Sequence, residues 1–163
     1  MVISTHKMVD CTSPVDAARL FNAFCIDNHN FMPKALPDFI KSVDVLHGES
    51  GTVGSIKQIN YPEGRPYKYA KNRVDEIDVD KFYCKFTAEG DVILGNIEYA
   101  VYESTFEPLE SGTHYTMVVH YHTKGDYVVK EDQVAVSKEH MKNMFDIASE
   151  YLVTNPQLYA LKQ

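Results

Sequence analysis

The sequence predicts an α+β fold: a curved antiparallel sheet that buries the apolar stripe of one long C-terminal helix, with two short helices after the first strand. Three observations carry this. From Phe39 to Thr123 apolar and polar residues alternate in stretches bounded by Gly, Pro and Asp, the pattern of antiparallel hairpins. After Lys130 the period becomes helical: Val134, Ser137, Lys138, Met141, Met144, Phe145, Ala148, Tyr151 and Leu152 recur at spacings of three and four. A single long helix beside such a sheet must bury its stripe against that sheet.

The elements follow in order. Residues 2–11 read as the first strand. Thr12-Ser13-Pro14 reads as a helix start, with Ser13 as N-cap and Pro14 at the first helical position. Val15, Ala18, Leu20, Phe21 and Phe24 give that helix an apolar side. Asp27-Asn28-His29-Asn30 breaks the pattern, a second short helix runs up to Pro33 or Lys34, and Pro37 forces an extended exit. Strands are expected at 39–46, 55–61, 67–77, 81–88, 97–106 and 113–123. A glycine-rich loop at 48–54 and turns at 62–66, 78–80, 89–91 and 108–112 separate them. In the last strand Tyr115, Met117, Val119 and Tyr121 share one face, and His114, Thr116, Val118, His120 and His122 share the other. One of these faces is buried and the other mostly wet. Asn155-Pro156 stops the long helix. With no linker, repeat or low-complexity segment, residues 1–163 read as one domain.

Composition narrows the function. The formal net charge is -7 and the Lys and Arg residues are scattered, which disfavours nucleic acid. The 3 cysteines are widely spaced and form neither a disulfide framework nor a metal pair. A signal-peptide core and a membrane-length run are both missing, so the expected location is the cytoplasm. Tyr is abundant (11 residues) and Trp is absent, so the interior suits either a hydrogen-bonded core or a wet pocket.

Several segments in order carry a resemblance. They are Ala17-Ala-Arg-Leu-Phe21, Pro33-Lys34, the glycine-rich loop, Ile59-Asn-Tyr-Pro-Glu-Gly64 and Val74-Asp-Glu-Ile-Asp78. Glu89-Gly-Asp91, Tyr121-His-Thr-Lys-Gly-Asp126 and the Lys138-Glu139 helix complete the set. Each is weak alone; their order and spacing are specific. Together they resemble the plant class-10 pathogenesis-related proteins, the birch-pollen-allergen-like family, over nearly the whole chain. The resemblance implies a START-like helix-grip fold: seven antiparallel strands around the long helix, two short helices in a V, and an internal cavity. It also implies binding of amphipathic metabolites such as cytokinins, flavonoids and sterol-like compounds, and a role in defence or stress. Cys84 stands where Tyr is common in the family, and His140 where an apolar residue is common.

Alternation and the resemblance agree on an inward set: Ile59, Tyr61, Tyr67, Tyr69, Phe86, Tyr102, Tyr115, Met117 and Val119. Helix spacing adds Gln133, Ser137, His140, Met141 and Met144. Phe24, Met32 and Ile40 would close the ends, and Ile93 would sit near the entrance. A mostly apolar lining with a few polar tips suits a small-molecule pocket. The residues alone fit a close-packed core equally well, and the resemblance favours the cavity.

The chemical candidates have plainer readings beside them. His140 could bind ligand or transfer a proton near neutral pH, or simply pair with a Tyr hydroxyl. The glycine-rich loop lacks the G-K-[ST] ending of a phosphate loop and joins two strands, so it reads as a turn. His114, His120 and His122 read as solvated, and no metal or other cofactor is expected. A ribonuclease activity is sometimes proposed for the family. The matching positions are Lys57, Glu98 and Tyr151; a further suggested Glu is Ser149 here, and Lys57 could instead bridge to Glu98. The expected function is binding of an amphipathic small molecule by a monomer or weak dimer. The alternatives are an enzyme of specialised metabolism using the same cavity, or a weak ribonuclease.

Overall fold

The alternating segments pair into a single sheet; the computed structural model describes residues 1–90 and 95–161. The strands are β1 (Ile3–Ser13), β2 (Ser42–His47), β3 (Ile56–Asn60), β4 (Tyr69–Asp78), β5 (Tyr83–Glu89), β6 (Ile97–Leu109) and β7 (Gly112–Thr123). Their spatial order is β1-β7-β6-β5-β4-β3-β2, with every neighbouring pair antiparallel. β1 and β2 are therefore opposite edges, and the chain between them must cross the sheet. That crossing carries α1 (Ala17–Phe21), a π-helical turn (Asn22–Ile26) and α2 (Asn28–Ala35). The long helix is α3 (Glu131–Thr154), and Asn155 ends it as expected. Register shifts at Lys7/Val9, Val45/His47, Val74/Glu76 and Ile97/Tyr99 mark bulges, which bend strands and increase twist.

Several boundaries differ from the sequence reading for local reasons. Ser13 is not a helix cap. It is the last residue of β1, held there by pairing with Thr113, and its hydroxyl accepts the Val15 N–H at 3.1 Å. Asp16 caps α1 instead, accepting the Ala18 N–H at 2.9 Å, so Pro14 lies before the helix. β2 starts at Ser42, because Phe39 and Ile40 donate their N–H groups back to the Leu36 carbonyl in a turn. The break at 27–30 is confined to Asp27, since Asn28 already belongs to α2. β6 continues through Pro108 to Leu109. At that point β5 has ended, so the missing Pro N–H interrupts no ladder on that side. Gly112 starts β7 at φ 102°, and a Cβ there would fall 2.0 Å from the Ser13 carbonyl oxygen, so only Gly fits.

The core sits at the helical end of the sheet. Leu20, Phe21, Phe31, Phe106, Tyr115, Phe145 and Leu152 are buried together. The Arg19 guanidinium fastens the end of α3: it donates to the carbonyls of Leu152, Asn155 and Leu158 at 3.0–3.1 Å. A cation there satisfies orphan carbonyls and opposes the helix dipole. Among the described residues no helix is long and apolar enough to cross a membrane. Arg19→Ala should lower unfolding stability by about 2 kcal/mol, since hydrogen bonds to a charged donor are worth roughly that together with the dipole term. Urea unfolding monitored by circular dichroism checks this, and Arg19→Lys should recover only part of the loss.

Candidate functional site

The long helix is held to the sheet by its C-terminal half. Phe145, Ala148, Ser149 and Leu152 are buried there, whereas Val134 is the one buried residue of the N-terminal half. Phe145 stacks on Tyr115 with ring centroids 4.4 Å apart and an interplanar angle of 1°. Ser149 Oγ lies 2.6 Å from Ser13 Oγ, tying α3 to β1. Phe24 wedges between these elements, with its ring 5.6–6.1 Å from those of Phe31, Phe106, Tyr115 and Phe145. This aromatic plug leaves the N-terminal half of α3 roofing a space over the sheet.

That space is a cavity of about 680 Å³, within the range of small-molecule sites. From the strands, Ile59, Ala70, Val74, Phe86, Tyr102 and Met117 form its floor. The Phe86 and Tyr102 rings, paired across β5 and β6, stack 5.2 Å apart. From the helix, Gln133, Ser137, His140, Met141 and Met144 form its roof. Phe24, Met32 and Ile40 close the side where the short helices lie, and Tyr61 meets Tyr67 edge-on at 4.6 Å on another wall.

Fifteen residues of the expected set, including Tyr115 and Gln133, therefore share this one surface. Tyr69 and Val119 do not. β4 begins at Tyr69, so Ala70, Asn72 and Val74 take the cavity side, and the Tyr69 ring packs beside Gly90 and below Lys71. Tyr67 precedes the strand, so the strand's alternation does not govern it. Val119 is fully buried in the core rather than on the wall. Ile93, the expected entrance residue, lies outside the described residues.

The polar groups on the wall were only partly anticipated. Lys57 is buried with its ammonium on the Asn28 side-chain oxygen, and it faces the cavity. Burial pulls it below the ordinary lysine value, while Cys25, Cys84 and Asp27 pull it back. Arg65 also lines the cavity, with its guanidinium 5.4 Å above the Phe39 ring. Among the described residues no carboxylate lines the cavity, so its fixed charges are cationic. Burial raises the Tyr102 and Tyr121 hydroxyls, and the Tyr121 hydroxyl also interacts with Ser137 and Tyr102. Period-two spacing from Ile59 and from Met117 could have flagged Lys57 and Tyr121. Cys25 and Arg65, on a helical turn and a loop, have no such signal.

Other candidates fall apart. Glu98 is exposed on β6 and does not bridge to Lys57. Tyr151 packs edge-on against Phe31 at 5.9 Å, and Ser149 is buried on Ser13. The suggested ribonuclease residues are thus not brought together. His114 and His120 hold Asp10 and Glu103 at 2.5 and 2.6 Å on the outer face, and His122 stacks on Tyr99. Among the described residues no group of three His, Cys, Asp or Glu could hold a metal.

His140 packs against the Phe39 ring at 5.4 Å, rather than against a Tyr hydroxyl. Burial, and then the nearby Arg65 charge, lower its pKa below the ordinary histidine value. The unfolded chain therefore takes this proton first. Stability at His140 is intact above the unfolded value of about 6.5 and is lost as pH falls toward the lowered folded value. An NMR titration should place the His140 midpoint below that of free histidine, and Arg65→Ala should raise it part of the way back.

Comparison with known proteins agrees with this geometry. A family model described as the Pathogenesis-related protein Bet v 1 family matches residues 2–155. Major allergen Mal d 1 of Malus domestica is 38% identical over 149 residues, covering 91% of this chain and 93% of that protein. Major allergen Pru ar 1 of Prunus armeniaca is 38% identical over 161 residues, covering 98% and 99%. The crystal structure of Ara h 8.0201 superposes with a TM-score of 0.82 at 25% identity, covering 94% of this chain and 99% of that one. Norcoclaurine synthase from Thalictrum flavum, at 16% identity, shares the fold with a TM-score of 0.73 over 93% of this chain and 87% of its own. The sheet that grips the long helix is the helix-grip fold, and the chain belongs to the pathogenesis-related Bet v 1 family.

Proposed function

We propose that this protein binds amphipathic or aromatic small molecules in its internal cavity, as a cytoplasmic plant protein linked to defence or stress. The observation that carries this reading is the cavity itself: a large, mainly apolar space with aromatic walls and a few fixed polar groups. Flat walls such as the Phe86–Tyr102 stack suit planar rings. Lys57, Arg65 and the tyrosine hydroxyls suit ligands that carry oxygen acceptors or a weakly acidic group, as flavonoids do; cytokinins are the next class to examine. The three unpaired cysteines fit a reducing compartment. We expect a monomer or weak dimer.

A metabolic enzyme using the same cavity is the second reading, and its best titratable group is His140. The groups facing His140 are Phe39 and Arg65, which lower its basicity without offering a partner for proton transfer. The norcoclaurine synthases share only the fold with this chain. Binding without turnover is the better supported account.

A thermal-shift panel of flavonoids, cytokinins and sterols should give a dose-dependent rise in unfolding midpoint for at least one class, because a ligand that binds only the folded state stabilises it by mass action. Ala70→Phe, which places a ring in the cavity, should weaken binding of that class by at least about ten-fold, equivalent to about 1.4 kcal/mol. Calorimetric titration measures it. No shift by any class up to the solubility limit would contradict the reading.

A further inference from the structure

Two of the three cysteines meet at the cavity wall. Cys25 lies on the π-helical turn after α1 and Cys84 on β5; both are nearly buried, and both face the cavity. Interaction between the two thiols raises Cys25 and lowers Cys84, burial disfavours both thiolates, and Lys57 nearby favours them. Of the two, Cys84 lies on β5 two residues from Phe86, on the strand that helps form the cavity floor, which makes it the candidate nucleophile, with Cys25 as its thiol neighbour. The third cysteine, Cys11 on β1, does not line the cavity, and burial raises its thiol.

We infer that this end of the cavity is a covalent capture site, where Cys84 adds to α,β-unsaturated carbonyl compounds. The inference rests on the cavity admitting small molecules, as proposed above. The surroundings select the reaction. Among the described residues no carboxylate lines the cavity, and His140 packs with Phe39 and Arg65 and interacts with neither thiol, so no thiol–base pair of the kind acyl transfer uses is assembled. Conjugate addition needs only a thiolate, a donor for the carbonyl oxygen and one proton.

In that addition the Cys84 sulfur bonds to the β-carbon while the alkene pair shifts toward the carbonyl, giving an enolate oxygen that the Lys57 ammonium can face. The proton lost by the thiol ends on the α-carbon. Nothing is released, and no oxidant or reductant is required. Phe86, two residues along β5 on the same face, and its stacked partner Tyr102 offer an aromatic wall beside the sulfur. The favoured class is therefore an enone bearing an aryl or other apolar tail.

The test treats fully reduced protein with 4-phenyl-3-buten-2-one and follows intact mass and peptide fragmentation. The saturated ketone 4-phenylbutan-2-one serves as a non-reactive twin in thermal shift. The expected result is one addition, at Cys84, retained in Cys11→Ser and lost in Cys84→Ala. Lys57→Met should slow it by at least about ten-fold, and excess saturated twin should also slow it. Peptide mapping of the unmutated protein decides the site even where a variant folds poorly. Modification confined to Cys11, or no addition while the saturated twin raises the midpoint, overturns the thiol assignment alone. No addition and no stabilisation by the twin overturns both the assignment and the cavity reading for aryl ketones.

Discussion

The stacking of Phe145 on Tyr115 is the contact on which the rest of the architecture depends. Two nearly parallel rings 4.4 Å apart fix the C-terminal half of α3 to β7, next to the β1 edge of the sheet, and Phe24 packs against both. Such pairs contribute about 0.5–1.5 kcal/mol each beyond the area they bury, and here several meet at one point. The two halves of the helix consequently differ. One is clamped by aromatic rings, by the Ser13–Ser149 contact and by Arg19 on its last carbonyls; the other spans open space. The cavity lies beyond this aromatic clamp, where small groups such as Ala70 and Ala88 are among the residues that line it.

A void beneath a helix is unfavourable, because wall atoms lose the dispersion contacts that a close-packed core provides. The buried Lys57 adds a further penalty, visible in its lowered pKa. Both features suit a ligand that fills the space and meets the charge. The wall is also electrostatically one-sided: the protein carries a net charge of -7, yet the cavity presents Lys57 and Arg65 and, among the described residues, no carboxylate. The described acidic groups lie away from the cavity wall, and none of them is fully buried. On the proposed reading, apolar bulk and a cationic interior suit oxygen-bearing aromatic compounds, and the buried thiols suit those among them that carry an electrophilic alkene.

Much of this was legible before the structure. Strand alternation and helical spacing identify the elements, and Tyr115, Met117, Ser137, His140 and Met144 could be placed on one surface from periodicity and resemblance together. Periodicity misleads where an element's edge overrides it. Tyr67 and Tyr69 have the same parity, but β4 starts between them, so they point to different sides. Ser13 satisfies every local rule for a helix cap, yet pairing with Thr113 keeps it in the sheet. The Cys25–Cys84 contact joins residues far apart in the chain, on elements of different type, and no spacing rule reaches it. Whether the interior is solid or hollow was likewise not decidable from the residues, since it depends on how far α3 stands from the sheet.

The central claim, that ligands occupy the space beneath α3, is tested most directly by the methionine methyl groups. Of the six methionines, Met32, Met117, Met141 and Met144 line the cavity, whereas Met1 is exposed and Met8 is buried in the core. Carbon-13 methyl NMR of methionine-labelled protein titrated with a flavonoid reads all of them at once. The account predicts saturable shifts for the four cavity methyls and unchanged Met1 and Met8 signals. Shifts confined to Met1, or four unmoved cavity methyls at ligand saturation, would contradict it.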